Sequence, residues 1–207
     1  MLDSIKKLFA YSKKCKSISS ICDNSTNCYY LSLVLIIKNE TQYIREWIEY
    51  HKLIGVEHFY IYDNESNDGL KDILSPYIQS GEVTYLCCPG QCMQMPAYND
   101  AIARFKNKNQ WLGFIDSNEF IVLAKQQQLP DFLRNYERFS AIGINWIMFD
   151  GNGHEKKPSS GFVLSNYTRV HSNKNQASNK CIKSIVNPKL VKNCTNPHFF
   201  IMKKGYT

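Results

Sequence analysis

The sequence predicts an α/β fold built on a mostly parallel sheet flanked by helices. Three observations carry this. Apolar runs rich in branched and aromatic residues (LSLVLIIK, VEHFYIYD, GEVTYL, WLGFID) alternate with segments whose apolar residues recur at helical spacing. The first run is unbroken from Leu33 to Ile37, as a strand buried on both faces should be. Turn-forming clusters such as NESNDG separate the segments. Strand–helix–strand repetition of this kind produces parallel strands with helices on both faces of the sheet.

The elements follow in order. Residues 1–28 are polar and basic and read as an N-terminal tail, with one domain over 29–207; a chain of 207 residues and 24.0 kDa suits one α/β domain. Within the tail, Leu2, Ile5, Leu8 and Phe9 recur at helical spacing between lysines. That pattern suits a short helix on an anionic membrane surface, or else a solvated tail. After the first strand, Ile44, Trp47, Ile48, Leu53 and Ile54 form a helical stripe, with Asn39 or Thr41 to cap it and Gly55 to end it. VEHFYIYD is the second strand. LKDILSPYIQ is a short helix broken at Pro76, and GEVTYL is the third strand. MPAYNDAIARFKNK is a helix with Pro96 in its first turn, followed by the strand WLGFID. LPDFLRNYERF and AIGINWIMF read as a further helix and strand. DGNGHEKKPSSG reads as a loop, and FVLSNYTRV and KSIVNP as short strands. HFFIMKKGYT supplies no closing element, which leaves open a truncation at the C-terminus.

Composition excludes several classes. A 43% hydrophobic and 21% charged chain is globular rather than disordered. The net charge of +7 suits nucleic acid, an anionic membrane surface or a phosphate-rich substrate. The lysines are dispersed and no recognition helix or aromatic RNA-binding signature occurs, so no nucleic-acid partner is expected. No apolar run approaches a membrane span, and the N-terminus lacks the apolar core of a secretory signal. The eight cysteines contain no Cys-x-x-Cys pair, which disfavours zinc. Reduced thiols in the cytoplasm are the expectation for such a chain.

Ligands of open parallel sheets bind beyond the carboxyl ends of the strands. Asn39 and Glu40 follow the first strand; Asp63, Asn64 and Asp68 follow the second; Asp116, Ser117, Asn118 and Glu119 follow the fourth. No G-x-G-x-x-G, P-loop or G-x-S-x-G motif is present. Acidic groups facing a phosphate need a cation between them, and Mg²⁺ or Mn²⁺ takes oxygen ligands and can neutralise a diphosphate leaving group. Structural roles compete at each position. Glu40 would favour a helix N-terminus in any case, and Asp63 could build an Asx-turn. His51 and His58 suit a helix face and a strand, and Trp47, Trp111 and Trp146 suit a core.

IIKNETQYIREWIEYHKLIGVEHFYIYDNESNDG resembles the opening of the family 92 glycosyltransferases and related family 2 enzymes. FIDSNEFI resembles their I-D-x-D-E-F box and NWIMFDGNGHEKKPSSG their W-x-x-F-G-x-x-G-H stretch. NKCIKSIVNP and His198 resemble their K-x-I-V-x-P and late histidine. The similarity runs in order from about Tyr30 to the end. It implies a GT-A fold, Rossmann-like, that binds a nucleotide-diphospho-sugar. It further implies a metal-dependent, inverting hexosyl transfer from a UDP-sugar to a glycan or lipid-linked saccharide, as in lipopolysaccharide assembly. By resemblance Glu40, Asp63 and Asn64 meet the nucleoside, and Asp116, Asn118 and His198 hold Mn²⁺ or Mg²⁺ and the diphosphate. Lys180 and Lys183 offset phosphate charge. Asn118 stands where the box has its second carboxylate. A non-catalytic nucleotide-sugar-binding relative with a weakened metal site is therefore the alternative. An inverting transfer needs a base; the candidates are Glu155, Asp150 (where the family usually has Gly) and, less favoured, Asp100. The expected location is cytoplasmic, with a peripheral contact at the inner membrane face.

Overall fold

The structure is a computed structural model that describes residues 19–21, 28–125, 127–170 and 181–206. In chain order the elements are β1 (Ser19–Ile21), β2 (Tyr29–Ile37), α1 (Thr41–Leu53), β3 (His58–Asp63), α2 (Leu70–Gln79), β4 (Val83–Cys87), α3 (Gln94–Phe105) and β5 (Asn109–Phe114). Then come α4 (Leu129–Arg134), β6 (Ala141–Asn145), α5 (Val163–Asn166), β7 (Ile182–Val186), β8 (Val191–Asn196) and β9 (Phe199–Met202). Seven strands form one sheet in the order β1-β4-β3-β2-β5-β7-β6, and β8 and β9 pair separately. β4, β3, β2 and β5 are parallel; β1 and β7 run against their neighbours. The expected α/β class with a mostly parallel sheet is what the chain forms.

Alternation along β2 separates two cores. Leu31, Leu33, Leu35 and Ile37 face one layer, filled by Trp47 and Ile48 of α1, Leu74 of α2 and Leu133 of α4. Val34 faces the other, filled by Tyr98, Ile102 and Phe105 of α3 and Cys194 of β8. Each fully buried large apolar side chain contributes roughly 1.5–3 kcal/mol, so the doubly buried central strands dominate stability. Trp47 and Trp111 are core residues, as expected. Gly55, at φ 98, ends α1; a Cβ there would meet Gln128 and Pro130 at 2.7 Å.

Several expectations change. Leu53 is 76% exposed, and His51 takes the buried place on α1 instead. α2 runs through Pro76 without interruption; the proline removes one N–H, but packing of Leu70 and Leu74 before it and of Tyr77 and Ile78 after it holds the helix. FVLSNYTRV forms the short helix α5 rather than a strand. HFFIMKKGYT contributes β9, so the C-terminal stretch does close an element: a hairpin with β8 that covers α3. Within the stretch expected as tail, residues 19–21 add an edge strand to β4; the tail's helical and membrane-contact expectations lie outside the described residues. No helix among the described residues is long and apolar enough to cross a membrane.

Candidate functional site

The chain passes from β2 outward to β3 and β4, then returns through α3 to β5 on the other side of β2. This reversal opens a crevice at the carboxyl ends of β2 and β5. Phe114 of β5 pairs with Val34 on one side and Ser184 on the other. Beyond Ile115 the chain turns at Asp116–Glu119, closed by the Glu119 N–H donating to the Asp116 carbonyl at 3.1 Å. Glu119 reaches back, and its Oε2 accepts the Asp116 backbone N–H at 2.8 Å. Ser117, buried in the turn, donates its hydroxyl to Glu40 at the end of β2.

The antiparallel direction of β7 brings its first residues to this same edge. Lys183 thereby enters the site. Its side chain is only 4% exposed, with Nζ 2.7 Å from Asp116 Oδ2 and 3.3 Å from Glu119 Oε2. Nζ also lies 5.4 Å from the centre of the Trp146 ring. A buried ammonium is tolerable only where carboxylates face it. Burial, and next the charge of Asp116, pushes the Glu119 carboxyl above its usual range, while Lys183 opposes that rise. Burial likewise raises Glu40, again with Asp116 next, and Lys157 opposes it. Gln94 of α3 approaches Asp116 Oδ1 at 3.5 Å.

The neighbouring strand ends are tied together. Asp63 Oδ2 accepts the Tyr85 hydroxyl at 2.5 Å and Oδ1 accepts the Ser66 N–H at 2.8 Å. One oxygen therefore ties the end of β3 to β4 and the other holds the loop after β3. Asn64 Nδ2 donates to the Cys88 and Gly90 carbonyls at 2.7 and 2.8 Å, joining that loop to the one after β4. Neither Asn39 nor Thr41 caps α1 with its side chain: Glu40 is the N-cap residue, and Asp68 Oδ2 accepts the Thr41 N–H at 2.9 Å from another loop. Asn39, at φ 56, instead accepts the Asn67 N–H at 2.8 Å.

His198 sits in the β8–β9 turn against β7. Its Nδ1 donates to the Ile182 carbonyl at 2.9 Å, since a carbonyl can only accept; the neutral ring therefore keeps its lone pair on Nε2. The ring meets Trp146 edge-on, with centroids 5.6 Å apart. Trp146 is thus half-exposed between Lys183 and His198 and outside both cores, contrary to the core role expected of it. Its Nε1 is buried without an acceptor.

Of the expected bases, Asp150 and Glu155 lie on the loop after β6 and Asp100 lies on α3. Both Asp150 oxygens accept from Arg169 Nε, at 3.2 and 2.9 Å, and Oδ1 also accepts the Asn152 N–H at 2.7 Å. Asp100 pairs with Arg104 and accepts the Tyr62 hydroxyl. Glu155 stands exposed. Lys157 of the same loop lies 4.3 Å from the centre of the Tyr43 ring on α1. Asn118 is exposed at the tip of the turn, and Lys180 lies outside the described residues.

A Mn²⁺ or Mg²⁺ ion needs several converging oxygen or nitrogen donors. Among the described residues no three His, Cys, Asp or Glu side chains converge in this way. Asp116 is the right donor type, but its Oδ2 already faces the Lys183 ammonium. A divalent ion does not fit on that oxygen beside Lys183. Sequence reasoning reached Lys183 only through the K-x-I-V-x-P resemblance. It missed Gln94 and Trp146, because nothing local marks which helix start or strand end turns toward Asp116.

Comparison with known proteins adds the lineage. The sequence model described as glycosyltransferase family 92 matches residues 35–207. A family 92 protein of Oryza sativa subsp. japonica is 32% identical over 180 residues, covering 82% of this chain and 29% of its own length. One from Ricinus communis is 27% identical, covering 86% of this chain and 32% of its own length. The chain thus spans about a third of the length of these curated relatives. A galactan β-1,4-galactosyltransferase of Arabidopsis thaliana is 27% identical over 54% of this chain and 25% of its own length. Among solved structures, S. aureus TarS 1–349 in complex with UDP aligns at 16% identity and a TM-score of 0.44, covering 63% of this chain and 38% of that one. A mannosyltransferase of Pyrobaculum calidifontis in complex with GDP-mannose and Mn²⁺ aligns at 12% identity and a TM-score of 0.40, covering 65% and 41%.

Proposed function

The chain belongs to glycosyltransferase family 92, and from that premise we propose that it transfers a hexose from a UDP-sugar to a saccharide acceptor, with inversion at the anomeric carbon. The observation that carries the reading is Lys183 at the β2/β5 crevice, a buried ammonium held between Asp116 and Glu119 whose point charge can serve a phosphate. UDP-galactose is the first donor to test, because one relative is named as a galactosyltransferase. In the transfer the acceptor oxygen bonds to the anomeric carbon, the bond from that carbon to the diphosphate oxygen breaks, and the acceptor proton goes to a carboxylate. We assign that base to Glu155 in preference to Asp150, whose oxygens are taken by Arg169 and the Asn152 N–H. The acceptor is a free or lipid-linked saccharide, the latter reached from the cytoplasmic membrane face through the basic residues of 1–28. Loss of anionic-vesicle binding on deleting that stretch is the expected result.

A thermal-shift panel of UDP-sugars tests the donor reading, since a ligand of the native state raises the melting temperature by mass action. Asp116→Ala should abolish the shift; no shift with any UDP-sugar overturns the proposal. A second reading, a non-catalytic relative that binds the donor without turnover, is favoured by the neutral, exposed Asn118. UDP release in the presence of acceptor, lost in Glu155→Gln, would exclude it.

A further inference from the structure

We propose that Lys157 is a phosphate-binding residue of the crevice, parked on the Tyr43 ring until a nucleotide diphosphate draws its ammonium across. The inference rests on the reading of this crevice as the nucleotide-sugar site. Glu40, Asp116 and Glu119 bring carboxylates to the crevice, and Lys183 brings one ammonium. Lys183 can serve a phosphate only from where it stands. Its side chain is 4% exposed, and moving Nζ off Asp116 Oδ2 and Glu119 Oε2 would leave both carboxylates without their cation. A diphosphate entering beside these carboxylates therefore needs a second cation that can turn toward it.

Lys157 meets that need. It stands exposed on the loop after β6, and its Nζ lies 4.3 Å from the centre of the Tyr43 ring, in the first turn of α1. Glu40 is the N-cap residue of the same helix and accepts the Ser117 hydroxyl from the Asp116 turn. The Lys157 charge reaches Glu40, where it opposes the rise of that carboxyl. The ammonium thus stands beside the end of β2, at the crevice. The backbone around it is fastened. His154 Nε2 donates to the Asn166 carbonyl at 3.2 Å, Asn166 Nδ2 donates to the Ser160 carbonyl at 3.0 Å, and Glu46 accepts the Val163 and Leu164 N–H groups. Only the flexible lysine stem has to move. An ammonium on an exposed aromatic face is weakly held. A phosphate oxygen offers it a charge-assisted hydrogen bond, which is the stronger contact. Uridine, which has no phosphate, offers no such exchange.

The test titrates UDP and uridine calorimetrically into the full chain and into its Lys157→Met and Lys157→Arg variants. Lys157→Met should weaken UDP about fivefold, the scale of one exposed ion contact, and leave uridine unchanged. Lys157→Arg should restore most of the UDP affinity. An equal loss for UDP and uridine would trace the effect to the loop's shape and overturn the phosphate contact; unchanged UDP affinity overturns it as well. Both outcomes leave the donor-site reading intact, whereas absence of UDP binding to the wild type under every condition overturns both. A second measurement needs no variant. Acetylation of Lys157, read by peptide mass spectrometry, should be fast in the free protein, slowed by saturating UDP and not slowed by uridine. Acetylation that UDP leaves unchanged overturns the proposal.

Discussion

Glu46 Oε2 accepts the backbone N–H of Val163 at 2.7 Å, and its Oε1 accepts that of Leu164 at 3.0 Å. A carboxylate on α1 therefore caps α5 and fastens the end of the loop that carries Glu155 and Lys157. A charge-assisted bond of this kind is worth roughly 1.5–3 kcal/mol. Glu46→Ala should loosen the loop without unfolding the sheet. Trypsin cleavage after Lys156 should then accelerate about tenfold, while the melting temperature moves little. Unchanged cleavage would show that the loop is held elsewhere.

His51 makes stability pH-dependent. Burial pushes its imidazole down to about 4, against a weaker upward pull from its bond to the Trp47 carbonyl. Nδ1 donates to that carbonyl at 2.8 Å and Nε2 accepts the Ile121 N–H at 3.3 Å, so the native ring has no free site for a second proton. The unfolded ring titrates near 6.5. As pH falls below 6.5 the unfolded chain binds a proton that the native chain refuses, and stability falls until about pH 4. At pH 5 the loss is about 2 kcal/mol relative to pH 7. Urea midpoints at the two pH values should show it, and His51→Gln should flatten the difference.

Tyr85→Phe separates structure from nucleotide contact at Asp63. Removing the hydroxyl leaves Asp63 Oδ2 without its 2.5 Å donor and should cost about 1–2 kcal/mol in a denaturant titration. UDP affinity should stay within about twofold, because the Ser66 bond keeps the loop shape. A large loss of UDP affinity at unchanged stability would place Asp63 on the nucleotide itself.

Asn118→Asp restores a second carboxylate at the exposed tip of the Asp116 turn. Ligand charge count governs affinity for hard cations, so Mn²⁺ should bind about tenfold tighter. Unchanged affinity would mean that position 118 points away from any bound cation.

Much of this was legible in the chain. The runs at 31–37, 58–63, 83–87 and 111–114 became strands, because continuous burial on two faces leaves a local apolar signature. The carboxylates after those strands, Glu40, Asp63 and Asp116, do lie at one sheet edge, as parallel topology requires. The local roles were harder to read. Asp68 caps α1 from 27 residues away, which no spacing rule anticipates. FVLSNYTRV has strand-like composition, yet Glu46 binds its N–H groups and coils it into α5. Leu53 fits a helical stripe but faces outward on the last turn, where His51 and Ile54 take the inward places.

The sequence by itself determined the alternating α/β class, the two-faced burial of the central strands and the set of strand-end carboxylates. All of these follow from periodicity and from residues close in the chain. Only the tertiary structure decided that β7 inserts antiparallel between β5 and β6. That single direction carries Lys183, rather than the far end of the strand, to Asp116. It also lets the β8–β9 hairpin dock His198 beside Trp146. Strand direction and pairing are set by contacts among residues some seventy apart, whose free energy exists only once the sheet has assembled.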